Sequence, residues 1–159
     1  MVELIRTNSD NADFRRLVAL LDQDLQLRDG EEHSFFAQYN KLDKIHHVVV
    51  AYQEGVPAGC GAIKSYAPDT MEIKRMFVHE AFRKQGIAMR VLSELEKWAE
   101  ELGCSACVLE TGKRQPEAIR LYQKSNYAFI PNYGQYAGVE SSVCMRKELK
   151  YDAEAKASL

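Results

Sequence analysis

The segment Arg83-Lys84-Gln85-Gly86 opens a helix that carries no cap. From Ala88 onward, Val91, Leu92, Leu95, Trp98, Ala99 and Leu102 recur at three- and four-residue steps, which is one face of an α-helix. No Ser, Thr, Asp or Asn stands before it to accept the free N–H groups of its first turn. Two cations and a glycine stand there instead. Free N–H groups and the positive end of the helix dipole converge at such a turn, so an anion suits it, and Gly86 lets that anion approach the backbone with no Cβ in the way. Taken alone, the turn is equally compatible with water capping and solvated basic side chains.

Other chemistry-bearing residues are more ambiguous. In MEIKRMFV, Lys74 and Arg75 are consecutive, so in an ideal strand they face opposite sides and at least one cation points into a covered face or a cleft. Adjacent His46 and His47 likewise face opposite ways and make no metal pair. The four cysteines, Cys60, Cys104, Cys107 and Cys144, lie mostly in apolar context and read as buried free thiols. Cys104 and Cys107 have C-x-x-C spacing, but neither the second ligand pair of a structural zinc site nor the strand-then-helix setting of a redox motif accompanies them. No metal is expected.

These residues must be positioned by a single domain. The chain has 159 residues, 46% of them apolar, enough for a core without disulfides or metal. A net charge of -2 gives no general attraction to nucleic acid or to an anionic membrane, so neither is an expected partner and any basic site is local. MVELIRTNSD has no apolar signal core, and no apolar run approaches the roughly 20 residues that span a bilayer, so the expected location is the cytoplasm. VELIRT reads as a strand, DNADFRRLVALLDQDL as a helix, and EEHSFFAQYNKL as a second helix. HHVVVAY, AGCGAIKSY and MEIKRMFV form a three-stranded meander, split at QEGVP and APDT by turn residues. The uncapped helix follows, then strand ACVLET, helix QPEAIRLYQKS with Pro116 near its start, and strands in YAFIP and SSVCMRKEL. The order is β-α-α-β-β-β-α-β-α-β-β, an α/β mixed sheet occupying 1–150, with 151–159 a polar tail. The middle β-α-β unit has the length of a right-handed parallel crossover, which makes one central pair parallel in a mostly antiparallel sheet.

In that setting Arg83 to Ala88, RKQGIA, resembles the R/Q-x-x-G-x-G/A motif of the GCN5-related N-acetyltransferase (GNAT) superfamily, with Ala88 where many members have glycine. PEAIRLYQKSNYAFI is similar to the superfamily's second signature, a helix carrying A-x-x-L-Y followed by a turn and a strand. The resemblance is strongest between Met71 and Ile130. LETGKRQPEAIRLY together with PNYGQYAGVESSVCM resembles a subgroup described only generically as acetyltransferases. Asn126 stands where the family usually has glycine, and Asn tolerates left-handed dihedrals better than most residues.

The resemblance implies an enzyme that moves an acetyl group from acetyl-CoA to a primary amine by direct attack. It implies that Met76, Phe77 and Val78 lie along the pantetheine, with Met76 and Val78 offering backbone groups, and that the N–H groups of Arg83, Lys84, Gln85, Gly86 and Ala88 hold the pyrophosphate. Gln115 stands where many members carry a cofactor-contacting Asn, or serves only the helix entry. An ammonium has no lone pair, so the acceptor needs a base; by position in the family's strand this is Glu72, unless Glu72 merely pairs with its same-face neighbour Lys74. Glu110 and a chain of waters are the competing routes. Tyr122 matches the tyrosine that serves many members as general acid, or is a packed core aromatic. Tyr133, Tyr136 and Glu140 in the long PNYGQYAGVESS loop are candidates to recognise a cationic amine, with HSFFAQYN as a facing wall. A non-catalytic acyl-CoA-binding module, or an interaction domain that binds no CoA, would use the same frame. The acceptor's identity, the tolerance of longer acyl groups and homodimer formation stay open.

Overall fold

The computed structural model describes residues 1–29 and 44–149. The expected second helix, the HSFFAQYN wall and the tail lie outside the described residues. Among the described residues seven strands form one sheet in the order β1-β2-β3-β4-β5-β7-β6. They are β1 (Val2–Thr7), β2 (His47–Gln53), β3 (Val56–Ala67), β4 (Thr70–Val78), β5 (Ala106–Gly112), β6 (Ala128–Ile130) and β7 (Ser142–Glu148). Helix α1 (Ala12–Asp29) follows β1, α2 (Ile87–Glu101) crosses from β4 to β5, and α3 (Pro116–Lys124) follows β5. All neighbours are antiparallel except β4 and β5, the parallel pair expected from the crossover. Glu54 and Gly55, both at positive φ, close the β2–β3 hairpin, the geometry whose twist matches the strands it joins. No helix among the described residues is long and apolar enough to cross a membrane.

The sheet carries two cores. Phe14, Leu17 and Val18 of α1 pack on Val48, Val50, Cys60 and Ala62 on one face. On the other, Ile87, Val91, Leu92, Leu95 and Ala99 of α2 pack with Val49, Ala51, Ile63, Met71, Ile73, Leu109 and Tyr122. The buried stripe of α2 thus begins at Ile87, and Leu102, expected on that stripe, is the exposed C-cap residue instead. All four cysteines are buried free thiols. His47 packs its ring edge against Trp98 at 4.8 Å, a structural role.

The strict alternation expected along β4 fails at one residue. Met71 and Ile73 face the α2 core, but so do Met76 and Val78, while Phe77 turns to the α1 core. The change from odd to even numbers requires one extra residue, and the register with β3 shifts between Cys60 and Ala62, which pair with Phe77 and Lys74. Arg75, at φ 61°, is that residue. A bulge reverses the facing of every side chain beyond it, so Lys74 and Arg75 share the α1 face rather than opposing one another. Opposite the bulge lies Gly61, where a Cβ would stand 2.5 Å from Met76 Sδ, 2.8 Å from Leu95 Cδ1 and 3.0 Å from Val91 Cγ1. Only glycine lets α2 and Met76 settle this close to β3.

Gly61→Ala therefore overpacks the bulge, and chemical denaturation should show a loss of about 1–3 kcal/mol with an unchanged m-value. Stability equal to that of the parent would show that Met76 and α2 withdraw at no cost.

Candidate functional site

Past the bulge the parallel strands part. β4 and β5 are paired only from Thr70, Met71 and Glu72 to Ala106, Cys107 and Val108. Beyond Glu72 the sheet opens into a gap, and two hollows meet there. The larger, of about 600 Å³, runs along Met76, Phe77 and Val78, over Arg83, Lys84, Gly86, Ile87 and Ala88 at the start of α2, and against α3. The smaller, of about 100 Å³, is lined by Glu72, Ile73, Lys74, Arg75, Glu110 and Tyr136, with Leu21 and Leu25 of α1. Leu21, Met76, Gln115, Ala118 and Tyr122 border both. Tyr122 and Ile73 belong to the α2 face, whereas the α1 face contributes Leu21 and Leu25, so the smaller cavity passes through the sheet.

The groove floor is built for an anion. Gly86, at φ 79°, is the N-cap of α2 and makes no side-chain cap bond. The first intrahelical bond runs from Arg90 N–H to the Gly86 carbonyl at 3.2 Å, which leaves the N–H groups of Ile87, Ala88 and Met89 directed out of the helix end. Lys84 is also left-handed, at φ 65°, so the backbone curls into the kind of concavity that binds phosphate oxygens. Nothing lies within 4 Å of the position a Gly86 Cβ would take. Arg83, Lys84, Arg120 and Lys124 line the groove against Asp24 and Glu117, so its rim is locally basic on a chain of net charge -2. Arg83 is itself partly committed: its Nε donates to the Val78 carbonyl at 3.0 Å and its guanidinium lies over Phe77. Gln85 is exposed beside the turn and is not among the lining residues.

Gln115 occupies the N-cap position of α3 yet makes no side-chain cap bond, and it borders both hollows. Its backbone serves the helix entry, its carbonyl accepting from the N–H groups of Ala118 and Ile119 at 3.1 and 3.2 Å. Asn126 takes φ 74°, as expected of the residue replacing glycine there.

In the smaller cavity Glu72 is held on both oxygens. The Tyr133 hydroxyl donates to its Oε2 at 2.5 Å, and Lys74 Nζ stands 3.6 Å from its Oε1. Glu110 accepts from the Ser142 hydroxyl at 2.8 Å. Tyr122 is 6% exposed, and its phenol is pushed above the ordinary range by burial and then by the Glu110 charge. Burial, then Glu110 and Glu72, acts the same way on Tyr136. Tyr133 is raised by burial and by its bond to Glu72, and its ring packs edge-on against Tyr66 and Tyr136. Glu140 is on an exposed turn and does not reach the cavity lining. Among the described residues no group of three His, Cys, Asp or Glu side chains converges as a metal site.

Sequence reasoning missed Arg120 and Lys124, whose i,i+4 spacing on α3 was the available signal, and it missed that Arg75 joins Lys74 in the same cavity as Glu72.

The family model described as Acetyltransferase (GNAT) family matches residues 12–127, and the chain belongs to that family. An IAA acetyltransferase of Azospirillum brasilense is 40% identical over 105 residues, covering 64% of this chain and 67% of that protein. A crystal structure of a proposed acyl-CoA N-acyltransferase from Klebsiella pneumoniae superposes with a TM-score of 0.79 at 27% identity, covering 94% of this chain and 98% of that one. The PaiA N-acetyltransferase of Thermoplasma acidophilum, solved in complex with coenzyme A, shares the fold at a TM-score of 0.69 and 16% identity, covering 93% of this chain and 99% of that one.

Gly86→Val forces a β-branched residue into the left-handed region, at a cost of about 1–2 kcal/mol. Gly103, at φ 88° beyond the other end of α2, has equally open space and supplies a control. Both Val variants should lose similar stability in denaturant, whereas calorimetry should show weakened CoA binding only for Gly86→Val. Equal CoA affinity in the two variants would remove the phosphate assignment from this turn.

Proposed function

We propose that the protein is an acetyl-CoA-dependent N-acetyltransferase that acts on a primary amine by direct attack. The observation that carries this reading is the meeting of a long groove with an anion-binding floor and a small cavity with two carboxylates at Met76, Gln115, Ala118 and Tyr122. The groove falls in the size class of cofactor sites, and its uncapped helix start, open Gly86 and basic rim fit a pyrophosphate. The N–H groups around Arg83 to Ala88 would hold that part, and the exposed edge of β4 at Met76 to Val78 would lie along the pantetheine. When bound, acetyl-CoA supplies an acetyl group on a thioester.

The acceptor amine enters the smaller cavity. Its nitrogen bonds to the acetyl carbon as the carbon–sulfur bond breaks, and its proton passes to Glu72, directly or through water. Glu72 is suited to this by its fixed orientation: Tyr133 holds one oxygen and Lys74 balances the charge. Glu110, on the same face of the sheet, is the rival base.

Tyr122 lines both hollows, and in this reading the departing sulfur lies beside it. A thiol and a phenol ordinarily ionise near 8.5 and 10, so outright proton transfer from tyrosine costs about 2 kcal/mol, and burial of Tyr122 increases that cost. Its contribution is thus a hydrogen bond that strengthens as charge develops on sulfur, and the thiolate takes its proton from solvent afterwards.

Tyr122→Phe keeps the packing and removes the hydroxyl. It should lower kcat by about tenfold to a hundredfold while leaving CoA affinity and Tm nearly unchanged. Because the phenol's pKa is raised, Tyr122 stays protonated to higher pH than a free tyrosine, and the ratio of parent to variant rates should hold constant up to about pH 10. A ratio that collapses between pH 8 and 10 would show a phenol that ionises in its ordinary range, against the effect of its burial, whereas a variant that loses stability but keeps its rate would make Tyr122 a core residue only.

Glu72→Gln retains an oxygen to accept from Tyr133 and should reduce kcat by about tenfold or more at neutral pH with CoA binding intact. Wild-type rates in that variant, with a loss in Glu110→Gln, would transfer the role of base to Glu110. CoA binding without turnover on any amine would leave the acyl-CoA-binding module as the reading.

A further inference from the structure

Charge of both signs enters the acceptor cavity, and it sets the kind of molecule that fits. Glu72 and Glu110 stand on adjacent strands on the face toward α1, while Lys74, two residues on from Glu72, and Arg75, brought to that same face by the bulge, line the cavity beside them. Arg75 is 6% exposed and Glu72 is 8% exposed, so these groups act across an interior of low dielectric where each sign is felt strongly. Leu21, Leu25 and Ile73 close the remaining wall.

We infer that the acceptor is a small amino-carboxylate, a compact molecule carrying a primary amine and a carboxylate, with the carboxylate on Arg75 and Lys74 and the amine toward Glu72, Glu110 and Tyr122. This rests on the acetyltransferase reading of the same site. A guanidinium fork matches a carboxylate in two parallel hydrogen bonds, which fixes orientation as well as affinity. An acceptor held by its carboxylate at the bulge extends its amine toward the border of the two hollows, where Tyr122 stands. A polyamine or an aminoglycoside would bring further positive charge against Lys74 and Arg75, and discrimination by such repulsion is as effective as discrimination by contact. The cavity volume of about 100 Å³ selects against bulk in the same direction.

The test compares L-alanine, L-serine and β-alanine, each beside its amide and its carboxylate-free amine, as acceptors for the full-length protein with acetyl-CoA. Free-thiol release and the mass of the N-acetyl product are followed, and calorimetry measures each acceptor's binding to the CoA-loaded protein. At least one free acid should exceed its amide in kcat/KM by about tenfold or more, the scale of a charge-assisted hydrogen bond. Arg75→Asn, chosen because Asn tolerates the left-handed dihedrals of this position, should collapse that acid-to-amide ratio toward unity. If this variant fails to fold, the ratio in the parent protein decides alone. Amides or plain amines used as well as the acids would overturn the inference and leave the acetyltransferase reading standing. An acid preference unchanged in folded Arg75→Asn overturns the carboxylate's assignment to Arg75. No transfer to any amine, with CoA bound normally, would overturn the acetyltransferase reading and this inference with it.

Discussion

One extra residue in a central strand organises the site. Arg75 sits at φ 61°, a region that costs an L-residue of order 1 kcal/mol or more, and the fold retains it because several features depend on the resulting bulge. The bulge reverses the facing of β4 beyond it, which carries Met76 and Val78 to the α2 side and Phe77 to the α1 side. Pairing with β5 ends at Glu72 and Val108. A sheet with continuous ladders is a wall between its two faces, whereas a sheet whose central parallel strands part is a wall with a window. Through that window Tyr122, packed with α2, reaches a cavity whose carboxylates face α1. Gly61 completes the arrangement from β3, because any side chain there would displace Met76 from the border of the two hollows.

The second organising element is electrostatic and is local by necessity. A chain of net charge -2 has no long-range pull on a phosphate, so the phosphate site proposed for this turn rests on the free helix N–H groups and a few cations held close to them. Arg83 and Lys84 enter from the turn, and Arg120 and Lys124 from α3 across the groove. The basic rim is therefore assembled from two segments that are far apart in sequence and adjacent only in the fold.

That division explains what could be read beforehand. Local signals were legible: the missing cap before Ile87, the glycine at the turn, Asn126 in a left-handed role, the crossover length that makes β4 and β5 parallel. Each is a statement about neighbours in sequence. The bulge was not read, because Met71 to Lys74 alternate regularly and Met76, Phe77 and Val78 after Arg75 are all apolar, a run that carries no phase and hides the residue at which the register slips. Without the bulge, Lys74 and Arg75 had to be placed on opposite faces, and the mixed charge of the cavity could not be seen. The partners of Glu72 were half visible: Lys74 follows from i,i+2 spacing on a strand, but Tyr133, 61 residues away, comes from a loop whose path depends on β6 and β7. The exposed place of Glu140, outside the cavity lining, was hidden for the same reason, since a loop's composition says little about which of its side chains turn inward.

Stability alone would not choose this cavity. Removing charges from water costs several kcal/mol per ion, and buried ion pairs commonly do no better than well-packed apolar residues of equal volume. Here Glu72 and Arg75 are each at most 8% exposed, in a strand at the centre of the sheet where Val, Ile or Leu would ordinarily stand. Strain at Arg75 adds to the same side. A molecule of matching charge in the space between β4, β5 and α1 would make use of charges that packing alone does not call for. The Glu72 carboxylate shows how the protein manages the interval: a tyrosine on one oxygen and a lysine near the other hold it in a single orientation without neutralising it through a tight pair, since the lysine stands 3.6 Å away. The base role proposed for Glu72 needs both properties, since a group that exchanges a proton cannot be locked in a short bidentate ion pair, and one that is aimed cannot be left to solvent. The geometry of Glu72 lies between those limits.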